Sequence, residues 1–222
     1  MRKAFGVARL IVAALCVVSL VSRLVWSLGV SGPIVANFFS YFTMESAIAA
    51  TVLWVIGGVL ALKTSVDPLW LTSAKAIVLT YQIVSGIVFG IITLEAVARG
   101  FPMLVPWSSD VLHYVLPVYA LVDWLAAPGR PRPRWATLRL ILIFPLIWVV
   151  YTIIRGSLVG WFPYFFLDPT QVSPVEATIY CFFAALIIVI VGAAVIVLGR
   201  LIRPFPDNSA LPRIGGRLKR RR

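Results

Sequence analysis

Six runs of apolar residues, each near the roughly 20 residues a helix needs to cross a bilayer, recur at 4–26, 38–62, 75–97, 110–126, 137–156 and 175–201. No other feature constrains the fold as strongly. The breaks carry turn chemistry: "SGP" at 31–33, "DP" at 67–68, "PGRPRPR" at 128–134 and "DPTQVSP" at 168–174. Composition agrees, since 61% of the residues are hydrophobic and mean hydropathy is +0.98, against about 45–50% apolar residues in soluble domains. The expected fold is all-α: a polytopic bundle of six transmembrane helices over residues 1–203, followed at 204–222 by a basic tail with the composition of a disordered segment. The first run follows "MRK" and is longer than the apolar part of a signal peptide. Arg23 and Trp26 stand where a small-residue cleavage site would fall, so it reads as a span.

Charge sets the expected orientation. The formal charge is +12, from 20 Lys and Arg against 8 Asp and Glu. In a soluble domain that balance would point to nucleic acid. Here 17 of the 20 basic residues fall on one side of the six spans, and only Arg23, Arg99 and Arg155 on the other. Basic residues concentrate in cytoplasmic segments, so both termini are expected in the cytoplasm of a chain integral to the cell membrane. The tail "RIGGRLKRRR" then anchors that topology and attracts anionic lipid headgroups; nucleic acid is not an expected partner. The sequence carries no signal for an oligomeric state.

Several classes of chemistry lack the residues they need. Cys16 and Cys181 lie inside apolar runs and read as small hydrophobes, and one histidine with two such cysteines builds no zinc site. There is no glycine-rich phosphate loop, so neither a metal nor a nucleotide cofactor is expected. Gly57-Gly58 and the pair Gly86 and Gly90 suit close helix packing. Pro117 and Pro145, inside spans, each free a carbonyl and favour a kink.

The polar residues within the spans are unevenly distributed. With a rise of about 1.5 Å per residue, Thr43 and Glu45 on the second span lie within about two turns of the outer surface, the depth at which His113 and Tyr114 enter on the fourth. Arg23, Glu95 and Arg155 end spans on that same side, whereas the inner half offers only Asp123 and flanking basic residues. Ionisable groups in lipid usually face a bundle interior or a wet cavity, so a polar cavity towards the outer leaflet is expected. His113 is the one histidine in the chain and titrates near neutrality when unperturbed. A threonine hydroxyl needs such a base to act as a nucleophile, which pairs Thr43 with His113. Asp110, three residues before His113, is placed to orient it, or to complement the helix dipole. Thr43 shares a small-residue face with Ala47 and Ala50, and Ser46 is the rival hydroxyl. Asn37, Tyr114 or an arginine could stabilise an oxyanion, and Arg23 or Arg155 could grip a carboxylate.

The stretches "NFFSYFT", "HYVLPVYALVDW" and "YTIIRGSLVGWFPYFFLDP" resemble the bacterial pathogenicity-related six-transmembrane proteins, which are similar to the androgen-induced and androgen-dependent membrane proteins of animals. The likeness extends nearly to the end of the sixth span, and the third stretch is the most specific. The resemblance implies an intramembrane threonine hydrolase that cleaves fatty acid esters of hydroxy fatty acids, with Thr43 as nucleophile and His113 as general base. Where the bacterial relatives read serine then asparagine after the threonine, this chain has Ser46 then Ala47. A contribution from that asparagine is therefore not carried over.

The expected function is thus cleavage of a lipid ester in the outer half of the bilayer, with membrane lipids as surroundings and a lipid ester as substrate. Two readings stay open beside it. A proton- or small-solute-coupled transporter or channel would use Glu45, Glu95, Asp110 and Arg155 as relay or gate, and a non-catalytic lipid-binding membrane protein would use none of them.

Overall fold

A computed structural model describes residues 1–30, 34–98, 100 and 105–202. The turn expected at 31–33, Arg99 and the basic tail fall outside the described residues, as does the side chain of Glu95. Helices account for all the regular structure: α1 (Arg2–Val30), α2 (Val35–Phe38), α3 (Phe42–Lys63), α4 (Leu69–Ala98), α5 (Trp107–Asp110), a π-helical turn (Val111–Val115), α6 (Leu116–Ala126), α7 (Thr137–Ile141), α8 (Ile143–Val159), a 3-10 turn (Phe165–Leu167) and α9 (Pro174–Leu201). No strand occurs among the described residues. Five helical stretches are long and apolar enough to cross a membrane: α1, α3, α4, α7 with α8, and α9. The run expected at 110–126 is helical from Trp107 to Ala126, but the π turn divides it.

Helix α4 is the central element, packed against α3, α6, α7 and α9, while α1 lies along α3. One core, built on Trp54, Leu79, Leu116 and Trp124, fills the space between α1, α3, α4 and α6. A second, around Phe42, Tyr81, Val84 and Ile188, fills the other side of α4. Small residues permit the closest approach. A Cβ on Gly58 would stand 2.9 Å from Leu10, and one on Gly6 3.0 Å from the Gly58 carbonyl, as in helices that pack through glycine faces.

Both intrahelical prolines leave a carbonyl without its helical donor, and the fold uses each one. Pro145 frees the Ile141 carbonyl, and the Tyr81 hydroxyl donates to it at 2.7 Å from α4. Pro117 frees the His113 carbonyl, which approaches α4 so closely that a Cβ on Gly86 would collide with it. The π turn ends at Val115, two residues before Pro117, where the normal ladder is already broken. Helix α9 starts on a reciprocal capping box between Ser173 and Glu176.

The end of the bundle that holds Arg2 is tied together by buried charge. Arg9 Nε donates to Asp123 at 2.8 Å and its Nη1 to the Gly57 carbonyl at 3.0 Å. Lys75 Nζ lies 2.8 Å from the other Asp123 oxygen. Arg2 reaches Asp67 at 2.6 Å and the carbonyls of Thr64 and Pro128 at 2.6 and 2.7 Å, which fastens the start of α1 to two loops. Gly129, with φ +83°, belongs to one of them, and a side chain there would strike Arg2. The sequence reading left this half with Asp123 and flanking basic residues, and the structure corrects that. Helix α1 begins at Arg2 and α4 at Leu69, so Arg9 and Lys75 lie inside helices and not on flanks.

Candidate active site

Towards the opposite end, a cavity of about 390 Å³ opens between α1, α3, α4, α8 and α9. Thr43, Ser85 and His113 lie in its wall, so the structure brings the expected nucleophile and base to one space from three different helices. Each is positioned by local chemistry. Thr43 is the second residue of α3, whose start is set by Tyr41 in extended conformation. Its hydroxyl is 2.5 Å from that of Ser85 on α4, and both groups are buried. The His113 ring stacks on Phe89, centroids 3.8 Å apart and planes 11° from parallel. That stack and the π turn fix the ring plane.

The tautomer follows from the partner. His113 Nδ1 is 2.7 Å from the Ser109 carbonyl, and a carbonyl only accepts, so Nδ1 carries the proton. In the neutral ring Nε2 is then the lone-pair nitrogen, and it has no hydrogen-bond partner among the described residues. Asp110, expected to orient the ring, is exposed and takes no part. The wider π turn changes the register in which residues three apart share a face, and the backbone of Ser109 takes the carboxylate's place.

The remaining expected residues divide. Arg23 lines the cavity, stacked on Trp26 at 4.4 Å, with Nη1 buried and unpartnered among the described residues. Arg155 donates to Asn37 Oδ1 at 2.6 Å, and neither residue lines the cavity. Ser46 donates to the Thr43 carbonyl at 2.9 Å, so its hydroxyl is occupied within its own helix. Tyr114 is exposed and packs edge-on against Phe89. Ala47 is buried, its carbonyl accepting from Thr51 at 2.9 Å.

Two participants escaped the sequence reading. Ser85 stands directly before Gly86, and a hydroxyl beside the glycine that admits the π turn was the available signal. Tyr164, in the loop between α8 and α9, brings its hydroxyl against the Thr43 side chain and the Phe42 and Thr43 backbone. Burial pushes its phenol up to about 12, so it stays protonated throughout the neutral range. The N–H groups of Phe42 and Thr43 take no backbone acceptor, as expected in the first turn of a helix. Donors and a hydroxyl therefore converge at the start of α3. Among the described residues no cluster of His, Cys, Asp and Glu is suited to hold a metal.

These features define, among the described residues, an all-helical protein of membrane-spanning type with a polar-headed, otherwise apolar cavity. No family model, curated protein or solved structure matches the chain.

Proposed function

We propose that the protein is an intramembrane hydrolase that cleaves a lipid ester with Thr43 as nucleophile and His113 as base. The observation that carries this reading is the shared cavity wall of Thr43, Ser85 and His113, with Nδ1 protonated and Nε2 left as the base. In the first step Nε2 accepts a proton from the Thr43–Ser85 hydroxyl pair and Thr43 Oγ1 attacks the ester carbonyl. The oxyanion forms against the Tyr164 hydroxyl and the first-turn N–H groups of α3, which serve in place of Asn37 and Tyr114. The alcohol leaves with the proton held by His113, and water admitted to the site releases the acid from Thr43.

The same reading takes Trp107–Ala126 as a sixth span and places both termini in the cytoplasm, so that the cavity lies in the outer half of the bilayer. The resemblance to six-transmembrane threonine hydrolases supports both, and the charge bias of 17 to 3 supports the orientation. The experiment is release of fatty acid from branched esters of hydroxy fatty acids by purified protein in lipid nanodiscs. Hydrolysis abolished by Thr43→Ala and by His113→Ala upholds the proposal, and unchanged hydrolysis in either variant overturns it.

A second reading rests on one observation, the buried group of Arg2, Arg9, Lys75, Asp67 and Asp123 in the inner half. Buried charges of this kind can line an ion or proton path, which makes a coupled transporter the alternative. Proton or solute flux into liposomes carried by the unmodified protein, without ester hydrolysis, would replace the hydrolase with that transporter. Absence of both hydrolysis and flux would leave a lipid-binding protein.

A further inference from the structure

The outer, Tyr41-bearing end of the cavity is lined by packed aromatic rings. Tyr41 packs edge-on against Trp161 and Tyr164 at 5.7 and 5.8 Å, and Tyr164 against Trp148 at 5.8 Å. Tyr164 also stacks on Phe166 at 5.3 Å, and Pro163 completes this roof over Thr43.

The side of the cavity is different. Helix α8 continues α7 and makes no other extensive backbone approach among the described residues; it reaches the bundle mainly through Phe144 and Trp148, whose rings lie 5.5 Å from Phe42. The space that this leaves between α8 and α9 belongs to the cavity. Pro145, Leu146 and Val149 line it from α8, and Cys181, Ala184 and Ala185 from α9. Leu146 is 57% exposed although it is part of the wall, so the wall reaches the outer surface of the bundle between these helices. That surface, with Ile147 and Phe182, is of the apolar kind that hydrocarbon covers.

We infer that the gap between α8 and α9 is a lateral portal through which one hydrocarbon chain of a bilayer lipid enters the cavity, and that Ala184 and Ala185 set how much chain it accepts. The occupant follows from the chemistry along the cavity. The α8–α9 limb carries methyl, isopropyl, thiol and proline groups and no charge, while the far limb carries Arg23, whose Nη1 is buried and has no partner among the described residues. A linear chain with a polar or anionic head matches that gradient; a polar solute does not. Volume agrees, because about 390 Å³ falls within the roughly 300–1,000 Å³ of small-molecule sites. Side chains larger than alanine at 184 or 185 would occupy the limb itself. The inference rests on the lipid-ester reading for what happens at the head, but chain occupancy needs no catalysis.

The test uses the full chain in phosphatidylcholine nanodiscs with a long-chain fatty acid that carries a diazirine near its methyl end. After photolysis, adducts are expected on Leu146, Val149, Cys181 and Ala184, at equal yield in Thr43→Ala. Ala184→Trp is expected to lower that yield at least about tenfold, whereas Leu158→Trp, on an 80% exposed residue outside the cavity, leaves it unchanged. Adducts spread evenly over lipid-facing residues of α1 and α9, or a yield indifferent to Ala184→Trp, would overturn the portal. Alkylation of Cys181 by a lipophilic maleimide in the unmodified protein gives a check independent of the tryptophan variant. Palmitate should slow it severalfold, and no protection at saturating palmitate counts against the portal. Cross-linking without hydrolysis would leave the portal standing and remove the catalytic reading; hydrolysis without cavity adducts would do the reverse.

Discussion

Arg9 and Asp123 meet at 2.8 Å with each side chain only 1% exposed, joining α1 to α6 through a charge pair that hydrocarbon would otherwise penalise. Lys75 holds the second carboxylate oxygen, also at 2.8 Å, so Asp123 is shared between two cations. Breaking such a pair costs more than the pair contributes, because the surviving charge stays buried without its partner. Asp123→Asn is therefore expected to destabilise the folded protein by about 3–5 kcal/mol. Replacing Arg9, Lys75 and Asp123 together by Met, Met and Leu should recover much of that loss. Thermal unfolding in detergent, followed by the reactivity of buried Cys16, measures both. Equal stability of Asp123→Asn and the parent would show that the cluster is hydrated.

A second stability prediction concerns the hydroxyl of Tyr81. Pro145 removes the helical donor from the Ile141 carbonyl, and Tyr81 replaces it from a neighbouring helix at 2.7 Å. Tyr81→Phe leaves that carbonyl unsatisfied and is expected to cost about 1–3 kcal/mol. Pro145→Ala restores a backbone donor, so in its presence the same Tyr81→Phe change should cost less. A double-mutant cycle on unfolding midpoints reads the difference, and strict additivity would refute the exchange of donors.

Length and hydropathy made the helical architecture legible, because a spanning run is a property of composition that survives ignorance of packing. The pairing of Thr43 with His113 was legible in outline for a similar reason: depth along a helix follows from residue count. Azimuth does not. Asp110 was placed beside His113 on α-helical spacing, and the π turn before Pro117 altered that spacing, so the Ser109 carbonyl holds the ring instead. Arg9 shows the converse error. Its place seven residues beyond Arg2 in one continuous helix puts it about 10 Å further along the axis, a depth that the flank reading overlooked. Tyr164 was hidden because its role depends on which elements meet, and Ser85 because the one local signal, its place beside Gly86, acquires meaning only once the His113 carbonyl is known to approach that glycine.

The loop that roofs the cavity should loosen in acid. Asp168 accepts from the Thr170 hydroxyl at 2.7 Å, the Gln171 amide at 2.8 Å and the Thr170 N–H at 2.9 Å. These donors hold its carboxyl below the usual carboxylate range. A depressed value means that the turn is favoured above the ordinary carboxylate pKa and loses that support as pH falls through the lowered one. Hydrogen exchange at the Thr170 amide, corrected for intrinsic rates, should accelerate over that acid interval. In Asp168→Asn it should be faster at neutral pH and lack the additional acid-dependent step. Unchanged protection in the parent down to pH values where the carboxyl is protonated would remove Asp168 as the clasp of this loop.

The hydroxyl pair gives the sharpest catalytic prediction. Thr43 Oγ1 and Ser85 Oγ lie 2.5 Å apart, whereas Ser46 is committed to the Thr43 carbonyl. If Thr43 attacks while its proton passes towards His113 through this pair, Ser85→Ala should lower kcat by about 10²-fold and leave KM nearly unchanged. Ser46→Ala should change neither by more than about twofold, because its bond is local to α3. The split between kcat and KM separates a proton-transfer role from simple loss of packing, which would move stability and substrate binding together. Mass spectrometry of the trapped acyl-enzyme adds the assignment: the adduct belongs on Thr43 in the parent and in Ser46→Ala. An adduct on Ser85 or Ser46 would move the nucleophile to that residue, and an active Ser85→Ala with parental kcat would take the relay out of the mechanism.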